Sequence, residues 1–290
     1  MRLSSIAAAC CLAMSFPAAR AATPPADVAA LHDIAVAPSQ ARIEADIRTL
    51  VGFGTRHTLS EIASDTRGIG AARRWIQAEF ERISKDCGGC LEVITVSDTV
   101  SGETRIPDPV EVVSVIAIQR GSADPDRVVI MSGDIDSRVS DVMDSTSDSP
   151  GANDNASGIA GTLEAARVLS RHRFNGTIVY AALAGEEQGL FGGRILADHA
   201  KAGGWRIEAV LNNDMIGNIA GINGVVDNST ARVFSEGTRA VVLSMTPLPP
   251  AMLPIMSLLR NASIRQPFSR AYAARIFPPN RPCSSPASAA

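Results

Sequence analysis

The residues best suited to chemistry are acidic and lie at four places in the chain. The first is Asp154, in PGANDNASG from Pro150. There Gly151, Ala152, Asn153 and Asn155 suit a tight turn, and an amphipathic run containing Leu163 and Glu164 follows at once. This pattern predicts a loop that sets Asp154 just ahead of a helix. Amide donors and the helix dipole favour a carboxylate there, and the same carboxylate can bind a metal. Its candidate partners are Asp134 or Asp136 in MSGDIDS, Glu186 and Glu187 in AALAGEEQG, and Asp214 in VLNNDMIG. Asp, Glu and His are the usual oxygen and nitrogen donors for zinc, and two ions about 4 Å apart need a bridging carboxylate. Asp154 suits that part. Glu186 and Glu187 are adjacent, so on an extended backbone they point opposite ways, one toward a metal and one toward substrate. A metal-held carboxylate is a poor proton acceptor, whereas a free neighbour can take a proton from water, a division that suits a hydrolase. Taken singly, each acid is also an ordinary solvated surface residue; only their joint placement speaks for a site. Ser157 follows no G-x-S-x-G elbow and has no evident histidine partner, which weighs against Ser-His-Asp catalysis.

The elements that must position these acids follow from periodicity. Pro25 to Ala37 reads as a linker or short helix, and Ser39 caps a helical run through Ile43, Ile47, Leu50 and Val51. Thr66 to Lys85 repeats Ile69, Ala72, Ile76, Phe80 and Ile83 at helical spacing, as a helix packed on a sheet does. Leu91–Val96 and Val110–Ile118 alternate in part and read as strands on the partly exposed side of a sheet, while Arg127–Met131 reads as an interior strand. Arg138 to Ser149 is too rich in Asp and Ser for a core element and reads as a surface loop over the site. Helix, strand, helix and strand are then expected at Ala156–Ser170, Thr177–Leu183, Gln188–Ala200 and Ile207–Leu211. This order predicts an α/β fold in three layers, a mostly parallel central sheet with helices on both faces. The acids then fall near strand carboxyl ends, where such sheets place their sites.

Composition sets the outer bounds. The 290 residues are 46% hydrophobic and 20% charged, enough for one well-packed domain. Arg2, the apolar run Ile6–Phe16 and the Ala19-Arg20-Ala21 pattern read as a secretory signal over 1–21, with an exported, periplasmic or extracellular destination. Anchoring at Cys10 is disfavoured by Ala7. Residues 22–38 are then a linker, 39–237 the catalytic domain and 238–290 a tail. No basic stripe suggests nucleic acid, and no run suits a stable membrane span. Cys87 and Cys90 in DCGGC are a candidate disulfide that leaves Cys283 odd.

The ordered motifs GDIDS, PGANDNASG, AGEEQGLFGG and NNDMIG resemble those of the secreted two-zinc aminopeptidases, a zinc exopeptidase family related to glutamate carboxypeptidase and the transferrin receptor ectodomain. The match is strongest from Val128 to Gly217. The resemblance implies hydrolysis of the N-terminal residue of peptides or small amino-acid derivatives by metal-activated water, with two zinc ions. It assigns Asp154 as bridging ligand, Glu187 and Asp214 as single-ion ligands, and Glu186 as general base. Asp136 then supports the ligand two positions earlier.

That earlier position is a histidine in the family and Asp134 here. The family's late histidine ligand is also missing, since His32, His57, His172 and His199 all precede Asp214. Of these, His57 reads as a surface residue or a residue lining the site. After Glu236 the chain has no Asp or Glu and is rich in proline, so the sheet is expected to be incomplete on its C-terminal side. These departures keep two alternatives open: a metal-impaired homologue, and a single-zinc aminoacyl cyclase or amidohydrolase.

Overall fold

A computed structural model describes residues 28–221 and 224–227. The expected signal sequence, Cys10 and the tail over 238–290 lie outside the described residues. Within the expected linker, Val28–Val36 form helix α1. Helix α2 (Gln40–Gly52) starts where predicted, with the Ser39 hydroxyl accepting from the Arg42 amide. Helix α3 (Gly68–Asp86) buries the apolar stripe of Ile69, Ala72, Ile76, Phe80 and Ile83. At its end Cys87 and Cys90 form the expected disulfide.

Five strands follow: β1 (Glu92–Val100), β2 (Val110–Gln119), β3 (Asp124–Asp134), β4 (Gly176–Leu183) and β5 (Arg206–Asn212). Their order across the sheet is β1-β2-β4-β3-β5. The α/β expectation holds, with mixed pairing: β1–β2 and β2–β4 run antiparallel, β4–β3 and β3–β5 parallel. The antiparallel half arises because β1 and β2 form a hairpin, which needs no crossover. Strand β2 is also more deeply placed than its sequence suggested. It lies between β1 and β4, with every residue from Val112 to Gln119 buried.

Alternation along the strands divides the core in two. Val115, Ala117, Tyr180 and Ala182 face α2, α3 and helix α4 (Gly158–Leu169). Ile116, Ile118, Val179 and Ala181 face helix α5 (Phe191–Ala202) together with Val128 and Ile130 of β3. The result is three layers with the sheet in the middle. Helix α4 lies close on β3: a Cβ added at Gly133 would stand 2.6 Å from the carbonyl carbon of Gly158. Strand β5 is an edge among the described residues and leaves Val210 and Leu211 exposed. No helix among the described residues is long and apolar enough to cross a membrane.

Candidate active site

The parallel half of the sheet gathers the acids. Asp134 is the last residue of β3 and pairs in register with Leu183, the last of β4. Glu186 and Glu187 follow β4 by three and four positions, and Asp214 follows β5 by two. Parallel strands put all of these at one edge of the sheet. A cleft of about 290 Å3 opens there, lined by Asp134, Glu186 and Asp214 together with Leu183, Leu190 and Val210. Asp154 and Glu187 do not line it. They stand near enough to act on its charges.

Asp154 sits in a single wide turn, Ala152–Ser157, immediately before α4, and is followed by a cis peptide bond. Asparagines on either side fasten this turn. The Asn155 carboxamide donates to Asp134 Oδ2 at 3.1 Å and to the Asn213 carbonyl at 2.9 Å, while its oxygen accepts the Gly158 amide at 3.1 Å and the Met215 amide at 3.3 Å. Asn153 Oδ1 accepts the Gly217 amide at 2.9 Å. One buried side chain, Asn155, thus joins the end of β3, the start of α4 and the segment bearing Asp214. Sequence reasoning credited it only with making a turn; its place inside PGANDNASG was the available signal.

Asp136 is 1% exposed, and its carboxylate is fully engaged. It accepts the Glu186 amide at 3.2 Å, the Glu187 amide at 3.0 Å and the Thr58 hydroxyl at 2.9 Å. Its hydrogen bonds therefore hold the Glu186–Glu187 turn rather than residue 134, whose own partner is Asn155. Behind Thr58 lies the Gln188 carboxamide, 2.6 Å from the Thr58 hydroxyl and 3.0 Å from His57 Nε2. His57 is wholly buried, contrary to both of its expected roles. Its Nδ1 accepts the Leu59 amide at 3.1 Å, which places the proton on Nε2, and Nε2 donates to the Val142 carbonyl at 3.0 Å. That bond ties the Arg138–Ser149 loop down over the site.

The electrostatics are those of an uncompensated acidic cluster. Burial, then Asp136 and Glu186, push the Asp134 carboxyl up to about 7. Burial, then Asp136, Glu187 and Asp214, push Glu186 up to about 7. Asp214 is raised by burial and by Asp154. Glu187 is raised by burial, while Arg138 opposes the shift through an ion pair with its carboxylate. Arg105 adds a 2.5 Å bond to the Glu187 carbonyl.

The donor types at the cleft suit a divalent cation, while their spacing in this structure does not enclose one. Asp134, Glu186 and Asp214 line one space and carry oxygen donors only, and Asp214 raises the proton affinity of both Asp134 and Glu186, an effect that a bound cation reverses. Around Glu187 the fit is poorer, because the Arg138 guanidinium already holds that carboxylate. Among the described residues no three His, Cys, Asp or Glu side chains converge closely enough to enclose an ion.

Known proteins resemble this chain in sequence and in fold. The chain is 50% identical over 199 residues to a probable zinc metalloprotease of Leptosphaeria maculans, covering 69% of this chain and 46% of that protein. It is 50% identical over 198 residues to another of Pyricularia oryzae, covering 68% and 39%. The chain thus spans less than half the length of these relatives. The crystal structure of LapB from Legionella pneumophila matches with a TM-score of 0.53 and 23% identity, over 69% of this chain and 50% of that one, a likeness of fold. Residues 114–245, the segment carrying every acid of the cleft, match the model of Peptidase family M28.

Proposed function

We propose that this chain carries the catalytic segment of a zinc-dependent exopeptidase that removes the N-terminal residue of peptides. The observation that carries this reading is the Glu186 carboxyl. It faces the cleft beside Asp134 and Asp214, is raised to about 7, and takes no side-chain hydrogen bond from any described residue. A carboxyl so placed and free of side-chain donors can take a proton from water and give it up again.

In this reading Asp134 and Asp214 would hold a cation at the cleft, with Asp154 beside it and Glu187 available once Arg138 releases it. The cation supplies Lewis acidity for a scissile carbonyl and for water. The protein's own residues do the rest. Glu186 accepts the proton of water and returns it to the leaving amine. Asp136, through the two amides it accepts, fixes the direction in which Glu186 points. The acidic rim suits the free α-amine of a peptide substrate. Leu183, Leu190 and Val210 give the cleft an apolar wall for the first side chain.

The test is Glu186→Gln, with hydrolysis of leucine and alanine arylamides and zinc content per folded chain both measured. Turnover should fall by about 10²–10⁴-fold with zinc content unchanged. Equal turnover in the variant would remove Glu186 from the reaction. A second reading, a metal-impaired relative, is favoured by one observation, the Arg138–Glu187 ion pair. It predicts less than one zinc per chain and no turnover before any substitution is made.

A further inference from the structure

Arg56 lies between α2 and α3 and is 1% exposed, among the most deeply buried large side chains in the fold. Its guanidinium forms no ion pair with any described carboxylate. All of its bonds go to main-chain carbonyls: Nε donates to Ile135 at 2.8 Å, Nη1 to Leu50 at 3.0 Å and to Pro150 at 2.8 Å, and Nη2 to Gly151 at 3.0 Å. Ile135 lies between Asp134 and Asp136. Pro150 and Gly151 lead into the turn bearing Asp154.

The surroundings reinforce this joint. The Arg56 amide donates to Ser137 Oγ at 3.3 Å, and Ser137 Oγ donates to the Ser149 carbonyl at 2.7 Å. Gly151 has a φ of 46°, and a Cβ there would stand 2.8 Å from Arg56 Nη2. Burial lowers the proton affinity of the guanidinium, to a pKa of about 10, and Asp136 and Asp154 offset part of the effect through space. A buried guanidinium is expensive to hold when an apolar side chain can fill the same volume. What it supplies here is a planar fork whose donors satisfy four carbonyls from three separate segments, which no apolar residue can do.

We infer that Arg56 is the positioning residue of the acidic site: its guanidinium sets the distance between the Asp134–Asp136 segment and the Asp154 turn. Its catalytic consequence rests on the exopeptidase reading, but the positioning itself does not. Arg56→Lys keeps the charge and loses the fork. In the full chain, backbone hydrogen exchange should accelerate at least about tenfold over 135–138 and 150–158, with less than about a twofold change in β2 and β4. Gly151→Ala, which leaves Arg56 in place but crowds the same joint, should loosen the same segments and serves if the lysine variant does not fold. In active protein, Arg56→Lys should lower kcat by about 10- to 100-fold with KM nearly constant, as small misplacements of reacting groups do. Acceleration spread evenly over the sheet, or none in either segment, would overturn the inference. Selective loosening in a chain without turnover would uphold the positioning and count against the exopeptidase reading alone.

Discussion

Carboxylates gather at two places in this fold, between the helices and at the end of the sheet, and the two groups are partnered differently. In the helical layer, Asp46 of α2, Glu79 of α3 and Glu164 of α4 surround Arg167, at 2.5 Å, 2.6 Å and 3.5 Å, and Arg42 reaches Glu164 at 2.5 Å. Each acid there has a guanidinium. Burial outweighs the pairing with Arg167 at Asp46, whose carboxyl is raised, whereas at Glu79 the bonds from Arg82 and Arg167 outweigh burial and hold it below the usual carboxylate range. At the sheet edge, Asp134, Glu186 and Asp214 line one cleft with no Arg or Lys paired to them among the described residues, and all three are raised. Pairing makes the first group a clamp between helices. The lack of pairing leaves the second group with unspent affinity for a proton or a metal, which is what a site requires.

The largest expected effect tests the clamp. Arg167→Met leaves Asp46 buried without a partner and Glu79 with Arg82 alone, and should cost about 3–5 kcal/mol in urea denaturation. Activity per folded molecule should be unchanged, and a stability loss below about 1 kcal/mol would show that water compensates these acids too. The acidic cluster should respond in the opposite sense when a better donor is supplied. Asp134→His replaces a carboxylate by a neutral imidazole and should raise zinc affinity about 10- to 100-fold by competition with a chelator; unchanged affinity would count against residue 134 as a ligand. Arg138→Ala releases Glu187 and should tighten zinc by about tenfold or less, the scale of one partly exposed ion pair. Weaker binding in that variant would mean that Arg138 orients Glu187 for the metal rather than competing with it. The smallest effect belongs to the solvent side of α2, where Arg48 and Glu44 pair at 2.7 Å. Glu44→Gln should change stability by no more than about 0.5 kcal/mol.

The same contrast explains what could be read from the sequence. The elements were legible because their apolar spacing is regular, and the acids were legible because Asp134, Glu186, Glu187 and Asp214 stand at or just past strands that such spacing identifies and Asp154 stands in a turn ahead of a helix. Strand β3 proved longer than Arg127–Met131 because pairing with β4 and β5 carries it through Asp134, a tertiary effect that periodicity does not contain. The supporting residues were hidden for a different reason. Arg56 stands in GTRHT, a polar stretch that reads as surface loop, and only the fold shows three main-chain segments meeting on its side chain. His57 and Thr58, its neighbours, were obscured in the same way. Arg138 was placed in a loop over the site, as found, but its bond to Glu187 depends on how that loop closes.

The contact between Gly133 and Gly158 has a consequence for how this protein can vary. The carbonyl carbon of Gly158 occupies the space that any side chain at 133 would need, so strand and helix meet with nothing but backbone between them. Asp134 begins one residue after that contact, and Asp154 ends four residues before it. In a saturation-mutagenesis map, 133 and 158 should therefore appear as paired gaps where even alanine is rejected. Between them, the exposed face of the Arg138–Ser149 loop, Arg138 apart, should accept nearly any residue.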